Sequence, residues 1–337
     1  MMSDVNEYVD INGYRVPMPL GNKNSGNSKW GFATKGGKEF FFKELLSPVY
    51  PLDETSMSPE LLVSRRRSCE EFEVKYVKFY TEINRAGRGG IVRVQDFFRN
   101  GSKYYVVTEK INSESIPVSK ICTLPTEDIL LLICTVADAF ASLHSVRIVH
   151  SDVKPANIFV KRSRDGKYVG KIIDFDSGFF SYEKMENEEL EGDPTYLAPE
   201  SFLLMLGQDI QVDEKADIFS LGLVFHEYFT GELPKINRSE YDYPAEAVLS
   251  EEAPEIDPRI PPEMAKLLSE MIDMQPTNRP SSAQVVARVK EMLGHKVEKV
   301  IEEPTFYTKK LDNKIPEKVT KTEAVPVNAW FSRAGDL

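Results

Sequence analysis

Near residue 112 the hydrophobic period of the chain switches from the two-residue alternation of strands to the wider spacing of helices. Upstream, residues 12–42 carry short apolar and aromatic runs between Gly and Asn clusters, a hairpin pattern. A linker with three prolines, SPVYPLDETSMSP, leads into one or two helices over Glu60 to Asn84, with Val77, Tyr80 and Ile83 at helical spacing. Two further strand-like runs, Ile91 to Phe98 and Lys103 to Glu109, flank the turn Arg99-Asn100-Gly101. Downstream, the spacing predicts a long amphipathic helix from Thr126 to His144 with Thr126 as its N-cap. Two short strands around Lys161 to Val169 and a long acidic loop come next. Helices follow over Ala216–Phe229, Pro262–Met274 and Ser282–Met292. Strands first and helices after imply an α+β protein of two lobes.

Composition narrows the functions. At 337 residues the chain can form one large two-lobed domain or two average ones. Its 53 acids against 42 bases leave a net charge of −11, which argues against the phosphate backbone of a nucleic acid as the main partner. The three cysteines, Cys69, Cys122 and Cys134, have no CxxC spacing and cannot complete a disulfide framework. The start, MMSDVNEYVD, lacks the basic and apolar runs of a signal peptide. The most apolar helical stretch, Ile129 to Phe140, is shorter than the ~20 apolar residues that span a bilayer. The expectation is a cytoplasmic protein without a membrane or nucleic-acid partner.

Four separated segments carry chemistry. In EFFFKEL, strand alternation puts Lys43 and Phe41 on one face and Phe40 and Phe42 on the other. A cation directed inward among phenylalanines requires anionic partners, although a lone strand lysine is ordinarily a solvated edge residue. IVHSDVKPANIFV places Asp152, Lys154 and Asn157 close together after the long helix. An aspartate can take a hydroxyl proton, a lysine can hold a phosphate oxygen, and an asparagine can offer a carbonyl oxygen to a magnesium ion. Taken singly, each also fits a polar turn. KIIDFDSG ends an apolar strand on Asp174, a carboxylate suited to a hard cation. GDPTYLAPE leads to KADIFSLG with Asp217, and much later comes Arg279 in NRPS.

These segments, in this order, resemble the signature set of the eukaryotic-type serine/threonine protein kinases over residues 14–294. The resemblance implies a bilobal protein kinase-like fold. Its N-lobe, residues 14–111, would be mainly antiparallel sheet with a helix, and its C-lobe, residues 112–294, mainly helical. Residues 1–13 would precede it, and a C-terminal tail, residues 295–337, would be partly disordered or docked. The implied cofactors are ATP and Mg²⁺ and the implied substrate is a protein. By the same resemblance, Lys43 holds the α- and β-phosphates and pairs with a helix glutamate. Asp152 accepts the substrate proton, Lys154 steadies the γ-phosphate, and Asn157 and Asp174 ligate magnesium. Thr108 falls at the gatekeeper, and Glu109 to Ile111 at the hinge facing adenine. Glu200 and Arg279 resemble a buried anchoring pair, and Asp217 an anchor of the catalytic-loop backbone. Among Glu70, Glu71, Glu73 and Glu82, Glu73 is favoured as the partner of Lys43, because Tyr76, Val77 and Tyr80 then lie at i+3, i+4 and i+7 on an inward face.

The chain also departs from the family pattern. Gly21 and Gly26 remain of the glycine loop over the phosphates, with Asn and Ser between them. Phe41 replaces the small residue above the adenine and Phe159 the usual leucine below it, which suggests an aromatic sandwich. Ser151 replaces the arginine that pairs with a phosphorylated loop, and residues 181–193 hold six acids and one base. Activity without loop phosphorylation and a preference for basic substrates are therefore expected. Asp176 replaces a glycine, and Asp193 a threonine near Asp152 and Lys154. The eroded loop and these two aspartates favour the alternative of a nucleotide-binding pseudokinase or scaffold. A small-molecule phosphotransferase of the same fold is opposed by the Lys-Pro and Ala-Pro-Glu segments.

Overall fold

The computed structural model describes residues 7–21, 28–53, 55, 57–111, 114–184 and 192–294. Gly26, most of the acidic loop and the C-terminal tail lie outside the described residues. The N-terminal part is a six-stranded antiparallel sheet in the order β1-β2-β3-β4-β6-β5. Its strands are β1 (Glu7–Ile11), β2 (Tyr14–Met18), β3 (Ser28–Lys35), β4 (Lys38–Leu45), β5 (Val94–Asn100) and β6 (Lys103–Glu109). The edge strand β1 falls within residues 1–13, so the sheet starts ahead of the residue-14 boundary.

One face of this sheet is an apolar core of its own. Phe42 is fully buried there among Tyr14, Phe98 and Tyr105, at ring separations of 5.2–6.4 Å. The alternation along β4 that buries Phe42 turns Phe41 and Lys43 to the opposite face. Helix α1 (Pro59–Ala86) packs beside the sheet as one continuous helix. Ser58 caps it by accepting from the Leu61 N–H at 3.3 Å, Pro59 opens the first turn, and the Gly87 N–H closes it on the Ile83 carbonyl.

The C-terminal part is helical, with two short strand pairings set among the helices. Its elements in chain order are α2 (Val118–Ile121), α3 (Thr126–His144), β7 (Ile148–Val149), β8 (Ile158–Arg162), β9 (Tyr168–Ile172), β10 (Phe179–Phe180), α4 (Pro199–Met205), α5 (Lys215–Thr230), α6 (Pro244–Leu249), α7 (Pro262–Met271) and α8 (Ser282–Met292). β8 pairs with β9, and β7 with β10, both antiparallel. α5 is buried along nearly its whole length, which makes it the pillar of this lobe.

Several element ends differ from the sequence expectation by a few residues, and at two helix ends the local chemistry gives the reason. Thr126 is the first helical residue of α3, not its cap. Pro125 occupies the cap position, and Glu127 and Asp128 meet the positive helix end. α7 stops at Met271 and not at Met274, because Asp273 Oδ1 accepts from the Gln275 N–H in a local turn and Pro276 cannot continue a helix.

Candidate functional site

The site lies where β4, the loop after β7 and the loop after β9 converge. Lys43 is the first piece. Its side chain is 9% exposed, and Nζ donates to Asp174 Oδ1 and Asp176 Oδ2, each at 2.8 Å. Burial pulls the ammonium pKa down, but the charges of Asp176 and Asp174 outweigh it and hold Lys43 well above its ordinary value. Asp174 goes below the usual carboxylate range, since the charge and hydrogen bond of Lys43 overcome its burial. Asp176 goes the other way. Burial pushes it up, and the pull of Lys43 does not offset burial plus the neighbouring Asp174 charge.

The loop after β9 is shaped to present these carboxylates. Asp174 takes a left-handed φ of 64°, a costly conformation for a side-chain-bearing residue. Phe175 next to it is buried against His150, ring centroids 5.1 Å apart. His150 in turn meets the Ile173 carbonyl through Nε2, so the two loops lock together.

The loop after β7 supplies the second piece. Asp152 Oδ2 accepts from Asn157 Nδ2 at 2.8 Å and from Lys154 Nζ at 2.9 Å. Its Oδ1 accepts from the Asp193 N–H at 3.1 Å. Three donors therefore converge on one carboxylate, which fixes its orientation. The Asp193 side chain does not pair with Lys154, whose partner is Asp152; its Oδ1 accepts from the Thr195 N–H in a local turn. Ser151 has a φ of 68°, and its N–H, with that of His150, donates to Asp217 at 3.0 and 2.8 Å. Asp217 is itself buried on α5 and bonded to His144 Nε2 at 3.0 Å. The most buried helix thus carries the anchor of the most irregular loop.

Glu200 on α4 and Arg279 form a bidentate pair at 2.6 and 2.8 Å, both side chains 0% exposed. The Arg279 guanidinium also donates to the carbonyls of Asp273, Met274 and Lys215. That pair ties the start of α4 to α5 and to the turn after α7, and so holds the segment that brings Asp193 to Asp152.

Glu73 does not meet Lys43. It accepts from Arg99 Nε at 2.9 Å and from the Tyr104 hydroxyl at 2.8 Å. The reason is the register of α1. Its buried stripe runs through Cys69, Phe79, Tyr80, Ile83 and Ala86, with Phe72 and Tyr76 packed alongside. Val77, expected inside with Glu73, is 54% exposed. Glu73 sits at the margin of that stripe, over β5 and β6. The sequence reading missed Asp176 as the partner of Lys43. The signal for it was a second carboxylate two residues beyond Asp174.

The other expected residues distribute as follows. Phe41, beside Lys43, packs against Trp30 and Phe32 at 5.4 and 5.9 Å, and its cross-strand partner on β6 is Thr108. Gly21 closes a hairpin by exchanging backbone hydrogen bonds with Trp30 at 2.9 and 2.8 Å. Glu109 gives its N–H to the Arg93 carbonyl, and its carboxylate is held by Lys171 at 2.5 Å and by the Arg93 N–H. Its side chain therefore points to β9 and away from the cleft. Phe159 on β8 and Ile111 after β6 are partly exposed.

The donor set fits a hard cation. Asn157 spends Nδ2 on Asp152, leaving Oδ1 as its acceptor, and Asp174 adds a carboxylate. Among the described residues no group of three or more His, Cys, Asp or Glu side chains is arranged to hold a metal.

Two lobes with such a cleft between them define the class of kinase-fold proteins. The chain belongs to the protein kinase domain family, whose model matches residues 65–292. It is 34% identical over 156 residues to a dual specificity protein kinase of Dictyostelium discoideum, covering 45% of this chain and 20% of that protein. To a probable serine/threonine-protein kinase of Clostridium perfringens it is 25% identical over 280 residues, 80% of this chain and 37% of that one. A human serine/threonine-protein kinase is 30% identical over 167 residues, 48% of this chain and 15% of the relative. The chain thus spans at most 37% of the length of these three relatives. No helix of the described residues is long and apolar enough to cross a membrane.

Proposed function

We infer that the chain is an ATP-dependent serine/threonine protein kinase that transfers the γ-phosphoryl group to a protein hydroxyl. The observation that carries this reading is the carboxylate of Asp152, held by Lys154, Asn157 and the Asp193 N–H beside the Lys43–Asp174 pair. Asp152 accepts the hydroxyl proton as the nucleophile attacks. Its three donors fix the oxygens, so little reorganisation accompanies that step. Lys43 binds α- and β-phosphate oxygens, and Lys154 steadies the γ-phosphate and balances the charge of Asp152. Asn157 and Asp174 hold Mg²⁺, which neutralises charge on the phosphates when bound.

Phe41 roofs the adenine, supported by Trp30 and Phe32, with Phe159 on the other lobe as its floor. Phe41→Ala weakens ATP binding by about 2- to 10-fold, the worth of ~0.5–1.5 kcal/mol for a well-placed stack. Titration with ATP checks this. A gain in affinity shows instead that Phe41 blocks the pocket.

With Ser151 in place of an arginine, the catalytic loop offers no cation there to a loop phosphate. Full-chain protein treated with phosphatase is expected to retain its activity. Glu183 is engaged with Lys75 of α1 at 3.0 Å, and the net negative charge of the run as a whole is what favours a basic substrate. Incubating the protein with Mg·ATP and a degenerate Ser/Thr peptide library tests both points. Phosphorylation with Lys or Arg enriched around the acceptor supports the reading. An acidic preference removes the substrate class, and no transfer at all removes the kinase.

A further inference from the structure

The cation on β4 has a partner that the family resemblance does not supply. Lys43 Nζ lies 2.8 Å from Asp174 Oδ1 and 2.8 Å from Asp176 Oδ2. Of the glutamates on α1, Glu71 pairs with Arg67, Glu73 with Arg99 and Tyr104, and Glu82 with Arg85. The side chains that α1 buries near its C-terminal end are Phe79, Tyr80 and Ile83. Tyr80 is the one that senses the cleft. Burial first, and the charges of Asp176 and Asp174 after it, hold its phenol well above its ordinary pKa. A nearly buried ammonium cannot stay in place without carboxylates. Here both come from the loop that follows β9.

The local geometry explains how. Asp174 and Asp176 flank Phe175, which is 4% exposed and packed on His150. With the middle residue anchored inward, both neighbours reach the same ammonium. Asp176 is 30% exposed and Asp174 42% exposed, so Asp176 is the more enclosed of the two. We propose that Asp176 is the positioning residue of Lys43: it performs the task of a helix glutamate from within the loop that also carries Asp174. The inference rests on the kinase reading above. Its consequence is that Lys43 stays aimed at the phosphates whatever the placement of α1. Orientation of the lysine is coupled to the Asp174 loop and not to the helix. Glycine at position 176, the residue the family resemblance would place there, removes this carboxylate and should lower function.

The test uses full-chain variants Asp176→Asn, Asp176→Gly, Asp176→Glu and Glu73→Gln. Binding of Mg·ATP is measured by calorimetry, and steady-state kinetics by peptide phosphorylation. Asparagine keeps a neutral acceptor oxygen but loses the carboxylate charge opposite the ammonium, which predicts that Asp176→Asn weakens Mg·ATP binding about tenfold or more. The KM for ATP should rise while the KM for peptide and the melting temperature stay near wild type. Asp176→Glu should recover part of the lost affinity, and Glu73→Gln should bind ATP like wild type. Asp176→Asn is nearly isosteric, so it decides the matter even if Asp176→Gly does not fold. Wild-type affinity in Asp176→Asn overturns the proposal. So does an equal or larger loss in Glu73→Gln, which would return the task to the helix. If the wild type binds ATP but transfers no phosphate, and Asp176→Asn still loses affinity, the positioning role stands while the kinase reading fails.

Discussion

Asp152→Asn is expected to lower peptide phosphorylation by about 10²- to 10⁴-fold, the range a positioned general base contributes. Its affinity for ATP should stay within a few-fold of wild type. The structure gives the reason for the size of the effect. All three groups on the Asp152 carboxylate are donors, namely Lys154 Nζ, Asn157 Nδ2 and the Asp193 N–H. An asparagine keeps one acceptor oxygen but turns an NH₂ group toward at least one of those donors. The side chain then loses both its basicity and its fixed orientation. Lys43 and Asp174 do not touch this carboxylate, so the hold on the α- and β-phosphates is kept and only the contacts of Lys154 and Asn157 are perturbed. Single-turnover phosphorylation and ATP titration together check the result. Turnover at the wild-type rate would show that Asp152 is not the base.

Arg279→Leu is expected to cost about 3–5 kcal/mol of stability, since it leaves Glu200 buried without its cation. For a domain of this size that corresponds to a fall in melting temperature of about 10 °C. The carbonyls of Asp273, Met274 and Lys215 lose their guanidinium donors as well. Because the pair anchors the start of α4, the segment 192–198 loosens, and with it the Asp193 N–H on Asp152. Activity measured well below the melting temperature should therefore fall too. The double variant Glu200→Gln/Arg279→Leu removes the stranded charge and should recover part of the loss. Urea or thermal melts of the wild type, Glu200→Gln, Arg279→Leu and the double variant give the coupling directly. Additive losses would mean that the two residues do not act as a pair.

Much of the fold was legible because its signals are local. The switch of period near residue 112 foretold a sheet followed by helices. The turn at Arg99-Asn100-Gly101 foretold the hairpin of β5 and β6. Strand alternation alone turned Lys43 and Phe41 to one face and Phe42 into the apolar core. Helix ends were less legible, because Pro125 and the Asp273 turn depend on backbone geometry that a hydrophobic period does not encode.

The site divides along the same line. Asp152, Lys154 and Asn157 lie within six residues of one another, so one short loop presents them together whatever surrounds it. The family match begins at residue 65 and does not include Lys43, whose place opposite Asp174 is 131 residues away in sequence. The helix partner was the failure. Helical spacing names a face but not its azimuth, and in the fold Glu73 meets Arg99 and Tyr104 and not Lys43. The two lobes, their order and the residue types brought to the cleft follow from periodicity and short-range spacing. Which carboxylates hold Lys43 depends on the folded chain. Ion pairing acts over a few ångströms in space, and Asp176 came within that reach because Phe175 is buried against His150.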